Sequence, residues 1–235
     1  DPSVSGNVVS NGKITVDAEG QWTVCSISID KALNIEDYSQ NENCVEVQID
    51  KTPPVAPVIS SIAGGATSSG PISGTEAEPE VCGEAEPGSE ITIFLRNVSG
   101  DTLLKDVLAD QNGVFCTTVA SLLPEGRKVI YAVSKDEAGN SGAQSLEAIY
   151  LFDSEPPITT ATGLSTGWSN DAVDITFEAH DAATGVKATY YCVDVSTCDP
   201  FDGNNTGTGV TISQEGEWVL CYGSEDEAGN KEISN

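Results

Sequence analysis

The stretch Glu215–Asn230, "EGEWVLCYGSEDEAGN", has two counterparts in the same chain, "EGRKVIYAVSKDEAGN" at 125–140 and "EGQWTVCSISIDKALN" at 19–34. All three open with Glu-Gly and close with Ser-x-Asp-x-Ala-x-Asn, with β-branched and aromatic residues between. A strand running into a tight turn is the reading of each copy, because Gly, Asn and Asp at the close are turn residues. Three copies of one segment indicate a tandem array. The equivalent aspartates Asp30, Asp136 and Asp226 lie 106 and then 90 residues apart.

A second repeat has the same period. "IDKTPP" (49–54) and "FDSEPP" (152–157) share Asp-x-x-Pro-Pro, with their aspartates 103 residues apart. Two successive prolines remove two backbone donors and hold an extended, stiff conformation, which suits a boundary between units. Boundaries are therefore expected near Thr52 and Glu155, dividing the chain into 1–51, 52–155 and 156–235.

Between these boundaries the signals are those of short strands. Glu80–Gly83, Glu90–Arg96, Gly113–Val119, Val129–Ser134 and Leu146–Phe152 are rich in β-branched and aromatic residues and are bounded by turn residues. No window sustains an apolar i, i+3, i+4, i+7 pattern, so helix content is expected to be very low. The fold class that follows is all-β: tandem immunoglobulin-like β-sandwiches, at roughly seven strands per 100 residues, joined by short Pro-Pro linkers. The terminal domains read as incomplete. Residues 1–51 carry only later strands, and 156–235 stop before a final strand, so the sequence is expected to be a mature chain or an excerpt.

Composition narrows the function classes. The chain has 235 residues with 37 acidic against 10 basic side chains, a formal charge of -27. Such a surface repels nucleic acid and anionic lipid and attracts divalent cations; a saline habitat is the other origin of that acidity. Disorder is excluded by alternating apolar runs such as Ile91–Leu95. No run has the apolar length of a membrane span.

Seven cysteines without a CxxC pair indicate disulfides and an oxidising compartment. Cys25 and Cys221 occupy the same position in the repeated segment. Cys25 has a candidate partner in Cys44, and Cys82 and Cys116 fit a bridge between neighbouring strands. Cys192 and Cys198 close a short local loop in the favoured reading; a Cys192–Cys221 bridge is the rival, leaving Cys198 free. In the favoured reading Cys221 is unpaired or intermolecular.

"EGEWVLCYGSEDEAGN", the Asp-x-x-Pro-Pro linkers and "GEAEPGSEITIF" (83–94) resemble the bacterial and archaeal Ig-like repeats of large cell-surface proteins. "WSNDAVDITFEAHDAATGVKATYYCVD" (168–194) is similar to the repeats whose motif runs Asp…Ser/Thr-Gly-Val…Tyr-Tyr. The resemblance implies a secreted or surface-anchored stalk, adhesin or filament, often with calcium at domain junctions. The first copy departs from the pattern, with Leu33 where the others have Gly139 and Gly229.

In such a sandwich the repeated turn lies at the end where the chain enters the domain, and the entering linker brings a carboxylate to the same place. Candidate calcium ligands are Asp50, Glu86, Asp136 and Asn140 for the middle unit, and Asp153, Asp181, Asp226 and Asn230 for the last, which is the preferred site. Calcium takes six to eight oxygen ligands of these types. The same residues also suffice for a plain turn, and both readings stay open.

Nothing points to catalysis: there is no Ser, His and Asp set, no His-rich metal set and no phosphate loop. His180, the sole histidine, is expected in a solvated loop. Asn97 and Asn204 head glycosylation sequons. Trp22 and Trp218 read as packing residues within strands, and Trp168 as partly exposed. The function read from these features is a non-enzymatic, structural or adhesive segment of an extracellular prokaryotic surface protein, a rigid stalk whose partners are neighbouring domains, further copies, or a cell-surface or glycan ligand. The rivals are a filament subunit joined by strand donation and an accessory module of a secreted polysaccharide-degrading enzyme.

Overall fold

A computed structural model of the chain describes residues 13–36, 43–164, 167–203 and 205–233. They are all-β, and their one helical element is the 3-10 turn Thr67–Ser69. Named strands pair only within three groups along the chain, and no pairing crosses residues 50–57 or 153–157.

The first group is a single antiparallel pair, β1 (Gly20–Cys25) and β2 (Cys44–Ile49). Two strands alone bury little and are marginal in water. The Cys25–Cys44 disulfide joins the pair at directly opposed positions, which offsets that weakness by constraining the unfolded chain.

The middle group comprises β3 (Val58–Ile62), β4 (Gly65–Ala66), β5 (Ile72–Gly74), β6 (Glu80–Glu84), β7 (Glu90–Leu95), β8 (Thr102–Leu108), β9 (Val114–Thr118), β10 (Gly126–Lys135), β11 (Ser141–Gln144) and β12 (Ala148–Phe152). One sheet runs β4-β3-β6-β9. The other runs β5-β12-β10-β7-β8, with β11 also on β10 and β5 parallel to β12. This is an Ig-like sandwich.

Its core follows from period-2 alternation. Ile91 and Ile93 of β7, Ile130 of β10, and Tyr150 and Phe152 of β12 face Ile62, Val81 and Phe115 of the other sheet, and all are essentially without solvent contact. Each such side chain contributes about 1.5–3 kcal/mol by leaving water. Gly83 lets the sheet close around Phe115: a Cβ there would meet the Val58 carbonyl oxygen at 2.1 Å and the Phe115 ring at 2.5 Å. The Cys82–Cys116 disulfide spans opposed positions of β6 and β9.

The last group pairs β13 (Ile158–Thr162), β14 (Val173–His180) and β16 (Gly209–Ile212) in one sheet, and β15 (Val186–Asp194) with β17 (Val219–Asp226) in the other. Phe177 of β14 bridges them, its ring 5.7 Å from Tyr191 and 5.3 Å from Tyr222. Two expectations are corrected here. His180 is the exposed last residue of β14, paired with Ile158, because the alternation of "ITFEAH" carries the strand through it. Trp218 precedes β17 instead of lying in it; its indole N–H donates to the Gln214 carbonyl, as Trp22 within β1 donates to Ala18.

Candidate functional site

The repeated turn has one geometry in all three copies. The backbone N–H of Asp136 donates to the Asn140 carbonyl and the Gly139 N–H to the Asp136 carbonyl, while the Asn140 N–H and side-chain amide both donate to the Asp136 carboxylate. Asp226, Gly229 and Asn230 repeat this set, and so do Asp30, Leu33 and Asn34. The third inner position is left-handed, with φ 92° at Gly139 and 94° at Gly229. Leu33 adopts φ 69° at the same place, so the Asp and Asn hydrogen bonds hold the turn even with a side chain there.

These bonds act on the carboxyls. At Asp136 burial works to raise the group, and the donors of Asn140, with the N–H groups of Gly139 and Ala138, outweigh it, leaving it below the ordinary value. The Asn34 side-chain amide does the same to Asp30.

The turn also grips the chain entering its unit. The Asn140 amide donates to the Asp50 carbonyl at 3.1 Å, and the Ser134 hydroxyl to the Val55 carbonyl at 2.9 Å. The Asn230 amide donates to the Asp153 carbonyl at 3.0 Å, and the Ser224 hydroxyl pairs with Thr159 at 2.6 Å. Ser134 and Ser224 are fully buried. The conserved spacing of Ser, Asp and Asn within the tail thus matches two anchor points on either side of the prolines.

The opening glutamate of the repeat grips the chain leaving the unit. Glu19 accepts from the Thr52 hydroxyl at 2.8 Å, and Glu125 accepts from the backbone N–H of Ser154 at 2.8 Å and from its hydroxyl. Thr52 and Glu155 each donate a backbone N–H to the aspartate two residues earlier, Asp50 and Asp153. Both Asp-x-x-Pro-Pro segments are therefore folded at their start and held from before and behind.

At the second segment three carboxylates converge. Asp153 and Asp226 have no solvent exposure, Asp181 is half-buried, and an oxygen of each lies within 4.8 Å of the others. Asp181 ties its own loop by accepting from the N–H groups of Ala183, Thr184 and Gly185. Thr184 closes that loop on the linker, its N–H and hydroxyl donating to Asp153 at 3.0 and 2.6 Å. None of the ion pairs among the described residues involves these three aspartates.

The first segment differs. Asp50 and Glu86 are exposed and Asp136 is half-buried, and they form no such cluster. The Glu86 carbonyl instead accepts from Ser89 within its own turn. Asn140 and Asn230, read from sequence as oxygen donors to a metal, use their amide N–H groups to hold the linkers.

No family model matches the chain, and no curated protein matches it. Among solved structures, a tetra-tandem repeat from the extending region of a large adhesion protein is 16% identical over 92% of this chain, with a TM-score of 0.38. This chain spans 55% of that structure's length. The fibronectin(III)-like modules of Clostridium thermocellum CbhA are 15% identical over 74% of this chain and 90% of theirs, with a TM-score of 0.39. The BSP domain of a biofilm associated protein is 12% identical over 77% of this chain and 28% of its own, with a TM-score of 0.27. Likenesses at this level transfer no residue role.

The remaining sequence candidates fall away from the linkers. Asn97 lies in the exposed turn after β7 with its amide on Thr102, and Asn204 is outside the described residues. Trp168 is 89% exposed. Cys192 and Cys198 are joined, and Cys221 is a half-buried free thiol. Sequence reasoning missed Thr184 and the anchoring roles of Ser134, Ser224, Glu19 and Glu125. The glutamates and serines were visible as invariant positions of the repeat, whereas Thr184 sits 31 residues from the carboxylate it holds.

Proposed function

We propose that this chain is a non-enzymatic, load-transmitting segment of an extracellular surface protein, in which Ig-like units at 1–51, 52–155 and 156–235 are lined up by seated linkers. The observation that carries the reading is the double grip on each Asp-x-x-Pro-Pro segment: a glutamate of the preceding unit on one side, a serine and an asparagine of the following unit on the other. A linker bound at both ends has little freedom to bend, and prolines reduce it further. Three disulfides fit an oxidising, extracellular setting. No helix among the described residues is long and apolar enough to cross a membrane.

Calcium suits the second junction. Two oxygens bound to one calcium at about 2.4 Å lie at most about 4.8 Å apart, and the Asp153, Asp181 and Asp226 oxygens lie within 4.8 Å of one another. Their hydrogen-bond donors offset part of the cost of burying these carboxylates. None is ion-paired to a basic side chain among the described residues, and a cation among the three like charges would remove their mutual repulsion. These aspartates would hold the ion, which would supply charge and extra rigidity where two loops meet the linker. At the first junction the exposed Asp50 and Glu86 give no comparable reason for a metal.

Thermal unfolding with calcium and with chelator tests this. A ligand that binds only the folded state at 100 times its Kd adds about 2.7 kcal/mol, so the melting temperature should rise with calcium in the wild type and not in Asp226→Asn. An unchanged wild-type transition contradicts the metal reading and leaves the seated linkers intact.

A second reading rests on β17. Among the described residues, Val219–Gly223 pairs with β15 on one side only, whereas the corresponding β10 carries β7 on one side and β12 on the other. An open edge accepts an added strand, and a strand from another copy would make the chain a filament subunit. Concentration-dependent assembly under reducing conditions, abolished by a proline in β17, tests it.

A further inference from the structure

Three sulfurs meet between β15 and β17. Cys192 is bonded to Cys198, while Cys221 stands directly across the strand pair from Cys192, and the three Sγ atoms lie within 4.8 Å of one another. Directly opposed cysteines of antiparallel strands are the arrangement that the other two disulfides use, at Cα separations of 4.0 and 4.1 Å. Cys192 therefore has two eligible partners: a loop cysteine six residues on and a cross-strand cysteine.

We propose that this trio is a thiol–disulfide exchange site that converts a loop-closing bridge into a strand-stapling one. The Cys221 sulfur, as thiolate, attacks the Cys192 sulfur. The Cys221–Cys192 bond forms as the Cys192–Cys198 bond breaks, and Cys198 leaves as a thiolate that takes a proton from solvent, matching the proton lost by Cys221. No electrons are gained or lost overall, so no oxidant is needed, and a neighbouring thiolate with access to a disulfide is sufficient.

The two bridges differ mechanically. The loop bridge leaves β15 and β17 without a covalent link, joined by backbone hydrogen bonds and by side-chain contacts such as the Lys187–Glu225 ion pair and the Thr189–Ser224 hydrogen bond. The staple locks them covalently and encloses a longer stretch of chain, which constrains the unfolded state more strongly. It also frees Cys198, in the loop after β15 where Asp199 is exposed, for a mixed disulfide with another thiol. The unit thus carries a built-in choice between a looser form and a reinforced form with a free, half-buried loop thiol at Cys198.

The test is disulfide mapping of the full chain. After incubation in native buffer with a trace of glutathione, the protein is acid-quenched, alkylated, digested without reduction and read by mass spectrometry. The expected result is alkylation divided between Cys221 and Cys198, with both Cys192–Cys198 and Cys192–Cys221 peptides present. Alkylation confined to Cys221, or Cys221 consumed by a bond to any other partner, overturns the proposal. In Cys198→Ser, checked for folding by circular dichroism, the expected result is a Cys192–Cys221 bridge and loss of the free thiol signal. Persistent free Cys192 and Cys221 under an oxidised glutathione buffer overturns it. The wild-type mapping decides alone if that variant does not fold.

Discussion

Asn230 and Asp153 are joined across 77 residues of sequence: the side-chain amide of the first donates to the backbone carbonyl of the second while also holding the Asp226 carboxylate. One side chain thus shapes the turn and docks the linker. Replacing it with Ala removes both bonds and leaves the buried Asp226 without a donor from that amide. Asn230→Ala should cost about 1–3 kcal/mol in chemical denaturation, and it should increase proteolytic nicking within 153–157. Asn140→Ala should open the first linker in the same way. An Asn230→Ala chain with unchanged stability and unchanged nicking would show that the contact carries no load.

The first copy of the turn contains a built-in test of backbone strain. Leu33 holds φ 69° where its counterparts are glycines, and 79% of its surface is exposed, so its side chain contributes little packing to offset that strain. The left-handed region costs a non-Gly residue about 1–2 kcal/mol. Leu33→Gly should therefore increase hydrogen-exchange protection of the β1–β2 pair, and Gly229→Leu should lower the stability of the last unit by a similar amount. The gain at position 33 is reduced by the greater freedom of Gly in the unfolded chain.

Acid should loosen the turns before it unfolds the sandwiches. The folded-state carboxyls of Asp30 and Asp136 lie below the ordinary value of 3.8. A depressed folded value means that the stabilisation is fully present above the unfolded value and is lost as pH falls through the folded one. The loss is therefore expected below about pH 4, seen by NMR as faster exchange of the Asn34 and Asn140 amides. Asp136→Asn should remove that part of the pH dependence.

Gly83 sets the closest approach inside the middle sandwich. Two of the atoms that a new Cβ would meet belong to the Val58 backbone and the Phe115 ring, neither of which can retreat without moving a strand. Overpacking of this kind costs about 1–3 kcal/mol or more, and Gly83→Ala should lower the melting temperature accordingly.

Strands β6, β7, β9, β10 and β12 of the middle unit were legible because burial and alternation coincide: Ile91 and Ile93 point inward, and Thr92 between them is only half-buried. The strand β8 was missed because "TLLKDVL" has no strict alternation: Leu104 is its one buried side chain and Val107 its one half-buried one, while the neighbouring Leu103 and Leu108 are exposed. The repeated segment revealed the array and the Asp–Asn turn, since both are encoded within sixteen residues. Its role in seating linkers was hidden because its partners are backbone carbonyls, linker residues or, for Ser224, the Thr159 side chain, all distant in sequence. Hydrogen bonds such as Asn140 to Asp50, 90 residues apart, leave no local pattern. Asp181 lies beside Asp153 and Asp226 because the entering linker and two loops share one end of a sandwich. Glu86 lies in the turn before β7, at the same end as Lys135 and the turn that follows it, but it is exposed and joins no carboxylate cluster among the described residues.

Stiffness at the linkers is the claim on which the functional reading stands, and small-angle X-ray scattering of the full chain addresses it most directly. In the presence of calcium, the wild type should give one extended profile, and a variant carrying Glu125→Ala, Ser224→Ala and Asn230→Ala should give a broader, more compact distance distribution. Indistinguishable profiles from the two proteins would contradict the account, because a linker that bends equally well without its anchors is not held by them.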